Sequence, residues 1–260
     1  MLDSPEPDEQ NALPVDPPVQ TPRREWGIGD LIVFALFFGL TVALLPVAAI
    51  YVLRIFRPNL RISELTTIDQ IVLQGIMDLV LVGFIMFLVK VVHRARFLEM
   101  ISWTHSRLYG PGSLISLGTT LAITVILTSN LFPTPNPTPI EKLISSTESL
   151  YVFALFGIAV APLFEEVIFR GFLFRVFFDM GGAKLAVPGT AFLFALLHSL
   201  QLWGNWLAIL MIFAVGFVLA FVRYRSGSLI PGLVVHISYN STLFAMYALG
   251  MLLQKTAKPS

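Results

Sequence analysis

The sequence predicts an all-α fold, a polytopic transmembrane helical bundle of about seven spans, with six to eight as the range. Three observations carry this prediction. Of 260 residues, 56% are hydrophobic and only 13% are charged, against about 25% charged residues in an ordinary soluble domain; mean hydropathy is +0.79. Apolar runs recur that are long enough to cross a hydrocarbon core of ~30 Å at ~1.5 Å per residue. Between them lie clusters of proline, glycine, amides and charge that end helices.

Composition also excludes several classes. The chain has no cysteine, so disulfides and thiolate metal sites are ruled out. Net charge is +1 and the isoelectric point is near 8.0, so there is no basic excess to bind nucleic acid.

Residues 1–25 hold six prolines, and five acids precede Arg23 and Arg24. Such a segment buries too little surface to offset its ordering entropy and reads as a disordered tail. An acidic, proline-rich start is unlike a secretory leader, so the first apolar run is expected to be retained. That run, Leu31 to Leu53, has 23 residues and no charge. The second, about Ile71 to Val89, holds a single charge, Asp78. The third, about Leu114 to Phe132, ends where four prolines between 130 and 139 stop the helix. A fourth, Leu150 to Phe178, is too long for one perpendicular span and contains Pro162 and Gly171, so it is expected to tilt, kink or continue into an interfacial segment. Leu185 to Val222 carries no formal charge but is interrupted at residues 201–206 by amides, a glycine and two tryptophans, which splits it into two helices. A last span runs from Leu229 to about Leu253. The expected division is a Pro-rich acidic tail (1–28), N-terminal transmembrane helices (29–133), a Pro-rich loop (134–148), a core of spans (149–254) and a short tail (255–260).

Lys and Arg fall unevenly between the spans. The tail, the loop 90–111, the loop near Arg175 and Lys184, and the loop with Arg223 and Arg225 share one side, which the positive-inside rule makes cytoplasmic, N-terminus included. Arg54, Arg57 and Arg61 oppose this assignment from the other side.

An ionisable group at membrane depth costs at least ~2.5 kcal/mol and is a functional-site hypothesis by default. Six polar residues in the C-terminal half stand out: Glu165, Glu166, Arg170, His198, His236 and Asn240. Glu166 and Arg170 are four apart in the favourable order and should form a buried structural pair. Glu165 points about 100° away and has no local counter-ion, which leaves it free to take a proton from water. His236 and Asn240, one turn apart, should project side by side. A carboxylate, two imidazoles and an amide from three helices can activate water and steady an oxyanion: Glu165 activates, His198 holds the water or a metal, and His236 with Asn240 stabilises the developing charge. The HisGluXaaXaaHis spacing of zincins is absent, yet Glu165, His198 and His236 could together bind a divalent metal such as zinc. The cofactor is therefore unknown at this point, a divalent metal or none.

Three motifs follow one another on successive apolar segments: GluGluXaaXaaXaaArg at 165–170, PheXaaXaaXaaHis at 194–198 and HisXaaXaaXaaAsn at 236–240. Together they resemble the motifs of the CPBP family of intramembrane proteases, which includes type II CAAX prenyl endopeptidases and bacterial relatives in abortive infection and bacteriocin processing. The resemblance covers about residues 145–250 and makes 149–254 a CPBP-like protease core. It implies that Glu165 activates water, that His198, His236 and Asn240 complete the site, and that Glu166 with Arg170 supports it. It leaves metal dependence open. The implied partners are membrane lipid and a peptide, membrane-protein or lipidated-peptide substrate, with no nucleic acid. Compact loops point to a multi-pass protein of a bacterial cell membrane.

Plainer readings cover the other features. Asp78 reads as structural or interfacial, and His93 and His105, in or beside a basic loop, as solvated. The stripe Phe164, Phe169, Phe172, Phe174, Phe177 and Phe178 reads as lipid contact and helix packing, with part of it lining a route for a greasy substrate. Two other functions use similar residues. A proton-coupled carrier also keeps acids and histidines at mid-membrane, but carriers are built from internal repeats, and none is visible here. A non-catalytic immunity or scaffold protein on the same fold is the other alternative.

Overall fold

The computed structural model describes residues 26–132 and 147–257. Most of the Pro-rich tail and nearly all of the Pro-rich loop lie outside the described residues. Among the described residues there are helices and no strands. Helix α1 is Ile28–Phe56, α2 Thr67–Phe87, α3 the single turn Phe97–Met100, α4 Pro111–Leu131, α5 Thr147–Leu155, α6 Ala161–Glu166, α7 Phe174–Ser199, α8 Trp206–Ser226 and α9 Leu229–Ala257. Wider π turns at Leu88–Val92, Phe156–Val160 and Val167–Leu173 continue α2 and link α5, α6 and α7.

Among the described residues, six helical segments are long and apolar enough to cross a membrane. One of them, Tyr151–Ser199, has 49 residues, which at ~1.5 Å per residue is more than two hydrocarbon thicknesses. It is broken at Gly181 and Gly182, the latter at φ +65°, a conformation glycine tolerates and other residues resist. The break divides it into two arms, and six candidate spans lie within the expected range of six to eight.

The ends of the helices sort into two groups. Trp26 N–H donates to Asp179 at 3.1 Å and His93 Nε2 lies 2.9 Å from Asp30. Leu229 N–H donates to the Ser102 carbonyl at 3.0 Å, and Ser228 donates to that of Thr104. The start of α1, the 93–104 loop, the α7 break and the α8–α9 turn therefore meet at one end of the bundle, the four segments that the Lys and Arg count grouped together. At the other end Arg57 grips Asp69 through two bonds of 2.7 and 3.1 Å, and Asp69 also closes the capping box with Thr66 that starts α2.

Two details differ from the sequence reading. Trp26, placed in the tail, is buried against Phe172 and His93, so the packed structure includes the last residues assigned to that tail. His93 is not solvated: it is buried and paired with Asp30, 63 positions away. His105 is exposed, as read.

Lipid tails are as apolar as leucine, so helices associate through close packing rather than through hydrophobic contrast. Small residues mark the tightest crossings. A Cβ on Gly118 of α4 would press on the Val235 carbonyl and sit 2.8 Å from Ser238 Cβ and 2.9 Å from Tyr239 N of α9. The largest core cluster joins α1, α2, the π turn Val167–Leu173 and α7 through Phe34, Leu81, Ile85, Phe169, Phe172 and Phe194. Phe169, Phe172 and Phe174 are thus core residues, whereas Phe178 is partly exposed.

Candidate active site

The glutamates lie on the six residues of α6, between two π turns. Pro162 has no N–H with which to bond the carbonyl four residues back, and the chain widens there. Such turns leave carbonyls without their usual partners and recur at functional sites. Here each wide turn is tied down by another helix. Asn240 Nδ2 of α9 donates to the Gly157 carbonyl at 2.6 Å, and Arg223 Nε of α8 donates to that of Arg170 at 3.0 Å.

The two glutamates have different surroundings. Glu166 is fully buried, and its Oε1 accepts from Arg170 Nη1 and from His236 Nδ1, both at 3.0 Å. Its Oε2 is buried without a hydrogen bond to the described residues and faces Gly232, where a Cβ would stand only 3.0 Å away. Glu165 is 26% exposed, and its Oε2 lies 3.6 Å from His236 Nε2. That separation is beyond a direct hydrogen bond. His236 thus stands between the two carboxylates.

Arg170 is buried as well. Besides Glu166 it donates to the Gly216 carbonyl of α8 at 3.0 Å, and its guanidinium lies 4.7 Å from the Phe194 ring centre. Phe194 also meets His198 at 4.5 Å and His236 at 6.0 Å between ring centres. The phenylalanine of the second motif is the hub against which the cation and both imidazoles pack.

His198 Nδ1 lies 2.8 Å from the Phe194 carbonyl. A carbonyl only accepts, so Nδ1 carries the proton and a neutral His198 presents the Nε2 lone pair. Likewise Nδ1 of His236 donates to the Glu166 carboxylate, and its Nε2 is turned to Glu165.

All six expected residues are placed. The Glu166–Arg170 pair is formed as the spacing implied, and among the described residues no Lys or Arg pairs with Glu165. Two contacts add to the expectations. His236 makes its short bond to Glu166. Asn240 spends one amide hydrogen on the Gly157 carbonyl, so it braces the α6 segment as well as standing beside His236. Sequence reasoning missed Arg223, which was assigned to a loop. It is a buried residue in the last turn of α8 that stacks over Phe174 at 5.3 Å. Its only signal was a cation directly following an apolar run.

The same geometry bears on a metal. Among the described residues no group of three His, Asp or Glu side chains is arranged to hold one, and Glu166 Oε1 is already shared by Arg170 and His236. The donors as placed do not fit a resident metal.

A multi-pass helical bundle that buries a carboxylate, guanidinium and imidazole network beside one accessible carboxylate belongs to the class of membrane proteins with a chemically equipped interior. Residues 147–242 match the family model described as Type II CAAX prenyl endopeptidase Rce1-like, which supports a CPBP family membrane protease. The matched stretch contains all six site residues. Comparisons with curated proteins and with solved structures return no match.

Proposed function

We propose that this chain is an intramembrane endopeptidase that hydrolyses a peptide bond at or within the bilayer, using water activated by Glu165. The observation that carries the proposal is the unequal state of the two adjacent glutamates. Glu166 is enclosed and engaged by Arg170 and His236, which suits a residue that orients others. Glu165 is accessible, has no Lys or Arg partner among the described residues and faces an imidazole at 3.6 Å, which suits a general base.

In the proposed reaction a water bonded to Glu165, and accepted by His198 Nε2, gives a proton to Glu165 as its oxygen attacks the scissile carbonyl carbon. The C–O bond forms and the carbonyl oxygen becomes an oxyanion. The C–N bond then breaks as the proton held by Glu165 passes to the leaving nitrogen, releasing a carboxylic acid and an amine. His236 Nε2, 3.6 Å from Glu165, can share the proton that Glu165 holds between the two steps. Glu166 fixes its tautomer and stabilises the imidazolium, the part an acid plays in hydrolase triads. Asn240 has a second amide hydrogen to offer the oxyanion.

The test is cleavage of membrane-spanning and lipidated peptides by purified protein in proteoliposomes, comparing wild type with Glu165→Gln, His198→Ala and His236→Ala. The reading expects wild type to cleave and Glu165→Gln to be inactive. Equal rates in all four would overturn it, and solute flux without cleavage would favour a carrier.

A further inference from the structure

On this endopeptidase reading, the site is held in register by a residue outside its motifs. At the end of the π turn Val167–Leu173, the N–H of Phe174 bonds to the Phe169 carbonyl, five residues back. In a regular α-helix that N–H would serve the carbonyl of Arg170. The wide turn therefore releases the Arg170 carbonyl inside a bundle, where a buried polar group needs a partner from the protein.

Helix α8 supplies the donor. Arg223, only 4% exposed, gives its Nε hydrogen to that carbonyl at 3.0 Å and stacks its guanidinium over the Phe174 ring at 5.3 Å. Seven residues earlier on α8, the Gly216 carbonyl accepts from Arg170 Nη2 at 3.0 Å. Seven residues make about two helical turns, so one face of α8 grips residue 170 twice, by its backbone and by its side chain. No carboxylate pairs with Arg223 among the described residues.

We propose that Arg223 is a positioning residue for the hydrolysis. By bonding the Arg170 carbonyl it fixes the π turn in the register that sets the Arg170 guanidinium on Glu166, and through Glu166 it orients His236 toward Glu165. The chain of contacts is continuous. Arg170 Nη1 and His236 Nδ1 both donate to Glu166 Oε1 at 3.0 Å, and His236 Nε2 lies 3.6 Å from Glu165. Without the Arg223 bond the wide register loses its backbone tie to α8, and one residue of slip turns a helix face by about 100°. What Arg223 contributes is an N–H at one place, not its positive charge.

Two substitutions separate the donor from the charge. Arg223→Gln keeps an N–H on the atom that corresponds to Nε but carries no charge, whereas Arg223→Lys keeps the charge and puts a methylene at that place. Neither strands a buried acid. In proteoliposomes Arg223→Gln should retain most of the wild-type kcat, and Arg223→Lys should lose about tenfold in kcat with KM unchanged, the mark of a displaced catalytic group. Arg223→Lys at the wild-type rate, or Arg223→Gln as slow as Arg223→Lys, would overturn the proposal. A second measurement needs no cleavage. In protein carrying isotope-labelled histidine, the magnetic resonance signal of the His236 Nδ1 proton should stay in place in Arg223→Gln and move in Arg223→Lys. A signal that stays in Arg223→Lys, or one that moves in Arg223→Gln whether or not Arg223→Lys folds, would also overturn it. If wild type cleaves nothing, the endopeptidase reading fails while the resonance still decides the role of Arg223.

Discussion

Helices α1 and α9 are both 29 residues long and both cross the bundle, yet they serve opposite ends. In α1 the most apolar stretch has a mean hydropathy of 2.6 and is 11% buried; in α9 the figures are 1.3 and 39%. The more hydrophobic helix is the peripheral one, turning Leu36, Leu40 and Ile55 outward. The less hydrophobic one is central and brings Gly232 and His236 to the glutamates and Asn240 to the π turn before them. Hydropathy reports immersion in lipid, whereas polar and small interruptions report which helix is enclosed by others. Chemistry in this molecule belongs to the second kind.

The contrast can be broken by substitutions whose effects should fall in order. Glu166→Gln is expected to do the most damage, because it leaves Arg170 buried beside a neutral amide. Removing one member of a buried pair costs about 3–5 kcal/mol, seen as a large drop in Tm in detergent. Replacing both members with Leu and Met should recover Tm but not cleavage. Gly118→Val follows: its side chain has no room against the α9 backbone, and overpacking costs about 1–3 kcal/mol. Gly232→Ala should be milder in stability but felt in chemistry. Its Cβ would press on Glu166 Oε2 from 3.0 Å and disturb the bond to His236, with about a tenfold loss of kcat, equivalent to ~1.4 kcal/mol. Leu36→Ala should do least, since this side chain is 70% exposed on α1. A change within about 0.5 kcal/mol is expected there, and a larger one would mean that α1 is not peripheral.

Much of this was legible in the residues because membrane sequences carry few signals, and those are strong. Uncharged runs located the spans, the amides and tryptophans at 201–206 located a turn, and the four-residue spacing of Glu166 and Arg170 located their pair. What escaped depends on contacts between distant segments. His93 looked solvated because its partner, Asp30, is 63 positions away. Arg223 looked like a loop residue because nothing local announces that a carbonyl at position 170 needs a donor. The π turns around α6 left no compositional trace beyond Pro162 and Gly171, so Asn240 was read for chemistry without its bracing bond to Gly157. Asp78 was visible as a charge in lipid, but its burial and its bond from Gln74 belong to the packed structure.

The central claim is that adjacent glutamates have been divided between chemistry and architecture. The most direct test is the rate of peptide cleavage per folded molecule of Glu165→Gln in proteoliposomes, measured beside its Tm. Loss of a positioned general base should lower the rate by about 10²–10⁴-fold while Tm stays at the wild-type value. Cleavage at the wild-type rate, or a collapse of Tm like that expected of Glu166→Gln, would contradict the account.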